Sequence, residues 1–119
     1  MESKKLAKLT FDAMDDKKGE SIVCLSMLEK STIADYFLIC HGNNEKHVQA
    51  IAREIREQAH QAGKDVKRME GFDDARWILV DMGDVIAHVF SKDDRIYYNL
   101  EKLWGDAPQI QSEFVEENL

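Results

Sequence analysis

The chain has 119 residues, 44% hydrophobic and 33% charged, a composition typical of one folded domain and not of a disordered or membrane-embedded chain. Its 16 Lys and Arg against 23 Asp and Glu give a formal net charge of −7, which disfavours sequence-independent nucleic-acid binding because that needs a cationic surface. No apolar run approaches the roughly 20 residues of a membrane-spanning helix. Cys24 and Cys40 each lie in an apolar run, which predicts buried, reduced thiols in a cytoplasmic protein.

The first half of the chain predicts a helix, two strands and a second helix. Residues 3–18 place apolar side chains at helical spacing. Residues 21–27 and 35–41 are short apolar runs typical of strands at the centre of a sheet. Asn44 is suited to cap a helix that runs to Ala62, and the apolar stripe of this helix predicts a face packed on the core.

A β-hairpin is the clearest local feature of the second half. A weaker strand over 66–70 precedes two apolar runs within 76–90 that flank Gly83-Asp84, a pair suited to a two-residue turn. Side-chain alternation sorts the hairpin into two faces. The first face is uniformly apolar and holds Ile78, Val80, Met82, Val85, Ala87 and Val89. The other, the mixed face, holds Trp77, Leu79, Asp81, Ile86, His88 and Phe90. Either a covering helix or a partner protein is expected to bury the mixed face.

The C-terminal region predicts one more helix and an acidic extension. Ser91 with Asp94 resembles a capping box at the start of a helix that ends at Gly105. Residues 1–108 are therefore predicted to form the domain, and residues 109–119 an acidic, flexible tail. The order of elements combines a β-α-β crossover with a hairpin, which predicts an α/β fold (mixed α+β) with a five-stranded mixed sheet and flanking helices.

Two groups of residues are candidates for chemistry, and each has a structural explanation. Cys40, His41 and His47 are metal-ligand types, but neighbours in a strand point to opposite faces, so no metal site is expected. Asp81 and Asp84 are a candidate pair for Mg²⁺, although hairpin tips collect Asp for their turn geometry. No serine lies in a Gly-x-Ser-x-Gly setting. The chain is therefore predicted not to be an enzyme and to use no cofactor.

Three blocks of the sequence resemble the ribosomal silencing factor (RsfS/Iojap) family. They comprise residues 34–40, 42–43 and 47–52, then 77–90, and then 95, 98, 100–101 and 103–104. The similarity extends over roughly residues 3–108 in one register, which makes it far more specific than a single short motif.

The resemblance implies a nucleotidyltransferase-like α/β fold and a translational repressor without enzymatic activity. It implies binding to the large ribosomal subunit through universal large-subunit protein fourteen, which obstructs subunit joining and lowers translation when nutrients are scarce. No membrane and no sequence-specific nucleic acid is expected as a partner. The implied contact residues are Trp77 as anchor, Asp81 as acceptor for a basic group, Met82 and His88, with Glu70 and Tyr98 as weaker candidates.

Two alternatives stay open. A Mg²⁺-dependent, nucleotidyltransferase-like enzyme would use Asp81 and Asp84 as metal ligands. A homodimer, which members of the family often form, would bury the mixed face against a second copy.

Overall fold

A computed structural model describes residues 1–117, with the side chains of Tyr97, Tyr98, Glu101, Glu116 and Glu117 outside the described part. The elements in chain order are α1 (Ser3–Asp16), β1 (Glu20–Ser26), β2 (Tyr36–Gly42), α2 (Glu45–Gln61), β3 (Arg68–Glu70), β4 (Trp77–Asp81), β5 (Val85–Ser91), α3 (Lys92–Tyr98), α4 (Leu100–Leu103) and α5 (Gln111–Glu117). Within the described residues, no helix combines the length and the apolar character that crossing a membrane requires.

The strands form one five-stranded mixed sheet in the order β1-β2-β5-β4-β3, which confirms the predicted fold class. β2 and β5 pair in parallel, and the other neighbours are antiparallel. Every residue of β2 is buried, as expected for a continuously apolar strand at the centre of a sheet. β1 was predicted to be central as well, and this prediction is wrong, because β1 is the outermost strand.

Helices α1 and α2 cover one face of the sheet and form the larger part of the core with it. The apolar face of the hairpin packs here, and all six of its predicted residues are fully buried. α2 begins as predicted, because the side-chain oxygen of Asn44 accepts a hydrogen bond from the backbone N–H of His47 at 2.8 Å and so satisfies a free donor of the first turn.

The hairpin of β4 and β5 has the predicted register. The backbone N–H of Met82 donates to the carbonyl of Val85 at 3.0 Å, and Gly83 takes a φ of +91° that suits glycine in the turn. The strands then pair Trp77 with Phe90, Leu79 with His88 and Asp81 with Ile86. The mixed face is therefore a continuous surface of the sheet.

The chain after Pro108 closes the outer edge of β1. The backbone N–H of Ser26 donates to the carbonyl of Pro108, and that of Ile110 donates to the carbonyl of Cys24, both at 2.8 Å. Phe114 of α5 is 1% exposed and meets the ring of Phe11 with 5.7 Å between centroids. Residues 109–117 are thus part of the packed domain and not the flexible tail that their acidity predicted.

The final predicted helix is broken at Asn99. Ser91 caps this helix as predicted, since the backbone N–H of Asp94 donates to the Ser91 hydroxyl at 3.2 Å. The reciprocal bond of a capping box is not formed, because the backbone N–H of Ser91 donates to the carbonyl of Arg76. Asn99 then takes a left-handed conformation, with φ of +44°, which ends α3 and redirects the chain into the short α4. The prediction of a continuous helix to Gly105 is therefore wrong. After the break, Leu100 packs against the mixed face, in the same buried apolar group as Ile86 and Phe90.

Candidate partner-binding surface

The mixed face of the hairpin is covered at one end and open at the other. Leu100 and Ala107 belong to the same buried apolar group as Phe37, Ile86 and Phe90. The ring of Trp104 meets Phe37 edge-on with 6.0 Å between centroids. Toward β4 the cover ends, and Trp77, Leu79 and Asp81 are each only partly buried. The chain itself therefore covers the part of the face on β5 and leaves the part on β4 partly exposed.

Trp77 is held in one orientation by two neighbours on the same face. Its ring stacks on Phe90 with 5.1 Å between centroids and 27° between planes. Its indole N–H donates to Nδ1 of His88 at 3.1 Å. A large aromatic side chain that is partly exposed and already fixed loses little conformational entropy when it binds a partner.

His88 lies beneath this surface and not on it. It is 5% exposed, and burial lowers the pKa of its imidazole to about 4, so the ring is neutral at pH 7. The indole N–H of Trp77 can only donate, which makes Nδ1 of His88 the acceptor and places the ring proton on Nε2. That nitrogen is buried without a hydrogen-bond partner. His88 was predicted to contact a partner, but in this conformation it supports Trp77 instead.

Asp81 lies in a network of charges formed by β3 and β4. Oδ1 of Asp81 accepts the backbone N–H of Gly83 at 2.8 Å, and Oδ2 lies 3.2 Å from Nε of Arg68. Nη1 of the same arginine lies 2.9 Å from Oε1 of Glu70. We call Asp81, Arg68 and Glu70 the charged triad. Arg68 was not among the predicted contact residues, although its spacing of two from Glu70 places both side chains on one side of a strand.

Met82, one of the predicted contact residues, does not join this surface. Met82 is fully buried on the opposite, helix-covered side of the sheet, where its sulfur lies 4.0 Å from the Thr10 hydroxyl. Side-chain alternation in the hairpin predicted Met82 on that side, whereas the family resemblance implied that Met82 contacts a partner. The structure agrees with the alternation. The side chain of Tyr98 lies outside the described residues.

The residues considered as metal ligands have separate structural roles. Nδ1 of His41 accepts from Nη1 of Arg95 at 3.0 Å, and Nε2 donates to Glu20 at 3.1 Å. His47 instead bonds to backbone groups. Burial raises the pKa of the Cys40 thiol to about 12, which makes it a poor ligand because metals bind the thiolate. Among the described residues, no group of three or more His, Cys, Asp or Glu is placed to hold a metal ion.

The whole sequence, residues 1–119, matches the family model described as ribosomal silencing factor during starvation. The chain belongs to the ribosomal silencing factor family. The chain is 60% identical over 114 residues to the ribosomal silencing factor RsfS of Bacillus subtilis (strain 168), an alignment that covers 96% of this chain and 97% of the relative. The family match includes residues 109–119, in agreement with the packed position of residues 109–117.

Solved structures of similar proteins share this fold. A crystal structure from Bacillus halodurans is 53% identical with a TM-score of 0.81, and the match covers 90% of this chain and 97% of that one. A crystal structure from Chromobacterium violaceum is 33% identical with a TM-score of 0.86, and covers 88% of each chain. The overall fold is therefore shared with proteins that are 53% and 33% identical to this chain.

Proposed function

We propose that this protein is a cytoplasmic translational repressor that binds the large ribosomal subunit through universal large-subunit protein fourteen. In this proposal it blocks the small subunit sterically and so lowers translation under nutrient limitation. Membership of the ribosomal silencing factor family supports the ribosome as the target. The observation that carries the proposed surface is Trp77, which is left partly exposed on a sheet face and is fixed by His88 and Phe90.

The chemistry of the surface suits a basic protein partner. Trp77 and Leu79 offer apolar area that is only partly covered by the chain. Asp81 and Glu70 lie on the same side of the sheet and carry two carboxylates against one guanidinium. Interface hot spots commonly combine an aromatic anchor with a few placed charges, and ribosomal proteins that contact RNA are rich in Lys and Arg.

The proposed mechanism needs no reaction step. A bound domain of this size, with a radius of gyration of 12.8 Å, excludes another molecule from the surface that it covers. Both oxygens of Asp81 are already bonded within the chain, which does not favour the alternative of a Mg²⁺-dependent enzyme using Asp81 and Asp84.

Co-sedimentation with purified large subunits tests the proposal. We expect Trp77→Ala to weaken binding by about 30-fold, because loss of a central aromatic anchor costs on the order of 2 kcal/mol. Phe72→Ala is a matched control, since Phe72 is also a partly buried aromatic residue but packs on the opposite core. Circular dichroism should first confirm that the Trp77→Ala variant is folded. If the folded variant binds large subunits as tightly as the unmodified protein, the role of Trp77 as anchor is refuted.

Two parallel measurements address the alternatives. A melting temperature raised by ATP with Mg²⁺ would support the enzyme, whereas the repressor predicts no shift. Light scattering after size exclusion, with and without large-subunit protein fourteen, shows whether a homodimer forms and whether the partner replaces it.

A further inference from the structure

The acceptor that the proposed function assigns to a basic partner is already occupied within the chain. Arg68 lies directly opposite Asp81 in the pairing of β3 with β4. Its guanidinium bridges both carboxylates of the charged triad, at 3.2 Å from Asp81 and 2.9 Å from Glu70. A cationic group of a partner that approaches Asp81 therefore shares this carboxylate with Arg68 or replaces Arg68 there.

We propose that Arg68 is an intramolecular competitor of the basic partner protein and sets the affinity of this surface. On binding, a Lys or Arg side chain of the partner takes the place of Arg68 at Asp81, and Arg68 keeps its contact with Glu70. This inference rests on the proposed function, because it assumes that the surface beside Trp77 meets a basic protein.

The two sides of the Arg68–Asp81 contact differ in exposure and in the number of contacts that hold them. The side chain of Asp81 is 18% exposed, whereas that of Arg68 is 57% exposed. The second oxygen of Asp81 is fixed by the N–H of Gly83 in the hairpin turn, while Arg68 belongs to a three-residue strand at the edge of the sheet. The carboxylate is thus a preorganised acceptor, and Arg68 is a replaceable donor because exposed ion pairs contribute little to stability.

The fixed carboxylates favour a basic protein over RNA as the occupant. The charged triad carries two negative charges and one positive charge, and the Lys67 ammonium beside Gly83 offsets part of this excess. A cation that docks next to Trp77 and Leu79 also loses contact with water, which strengthens its attraction to a fixed carboxylate. An RNA phosphate would instead use Arg68 as its own contact, and the two partners therefore predict opposite effects when Arg68 is removed.

The test compares affinities for purified large subunits and for isolated large-subunit protein fourteen. We expect Arg68→Ala, and Arg68→Gln as a second variant, to bind about 3- to 10-fold more tightly at low salt, and the gain to shrink as salt screens the contact. Arg56→Ala is the matched control, since Arg56 is an exposed arginine on α2 whose loss makes the same change in net charge.

A second mutation locates the effect. In an Asp81→Asn background the gain from Arg68→Ala should disappear, because the carboxylate charge for which Arg68 and the partner compete is then absent. Weaker binding by the Arg68 variants would overturn the inference and indicate Arg68 as a contact to phosphate. Unchanged binding, or a gain equal to that of Arg56→Ala, would overturn it as well. If Trp77→Ala also leaves binding intact, the proposed surface itself is wrong; if Trp77→Ala weakens binding, only the role of Arg68 is refuted.

Discussion

Phe114 is the residue whose loss tests the docking of the C-terminal segment. Its side chain is 1% exposed, and a phenylalanine buries at least about 150 Å² of apolar surface, worth about 4 kcal/mol at 25 cal/mol per Å². Unfolded chains already bury part of that area, so we expect Phe114→Ala to lower the free energy of unfolding by about 3 kcal/mol. For a chain of this length the melting temperature should fall by about 10 °C.

Urea unfolding followed by circular dichroism measures this loss. Val115→Ala provides the control, because Val115 is the next residue of α5 but is 49% exposed, and its truncation should change stability by no more than about 0.5 kcal/mol. Deletion of residues 109–119 should destabilise the domain at least as much as Phe114→Ala. A loss of under about 1 kcal/mol for Phe114→Ala would refute the packing of α5 against Phe11.

Three further predictions concern single groups. Burial lowers the pKa of His88 to about 4, so between about pH 6.5 and 4 the unfolded chain binds a proton that the folded chain does not. Stability should fall by up to about 3 kcal/mol on acidification through that window, and unfolding of His88→Gln should lose most of this pH slope. Asn44→Ala should cost about 1 kcal/mol in unfolding experiments because it removes the cap of α2, whereas Asn44→Asp should not. Burial raises the pKa of Cys24 and Cys40 to about 12, so alkylation should be slow in native protein and fast in urea; rapid native labelling would contradict their burial.

The hairpin could be predicted from the sequence because two independent signals agree. The pair Gly83-Asp84 predicted the position of the turn, and the alternation of side chains along each strand predicted which of them share a face. The cap of α2 was predictable for a similar reason, since one local hydrogen bond from Asn44 decides where the helix begins. Trp77 and Asp81 accordingly lie together on one side of the sheet, as the pattern predicted, whereas Glu70 joins them through the pairing of β3 with β4.

Long-range packing was beyond the reach of local patterns. The segment after Gly105 has four acidic residues and no Lys or Arg, and this charge concealed the pair Ile110 and Phe114, which are four residues apart and pack on the core. The break at Asn99 depends on where Leu100 can be buried, which only the assembled sheet decides. The Arg68 contact needed the register of β3 with β4, and the weak apolar pattern of residues 66–70 did not specify it.

The outer strands of the sheet also affect how copies of this protein meet one another at high concentration. Unpaired strand edges recruit further strands and lead to aggregation. Here β1 is sealed by backbone hydrogen bonds from the C-terminal segment, and β3 is only three residues long and carries exposed Arg68 and Glu70. Both features disfavour strand addition between copies of this protein. Contact through the face of the sheet would depend on side chains and not on backbone groups, and so would discriminate between partners.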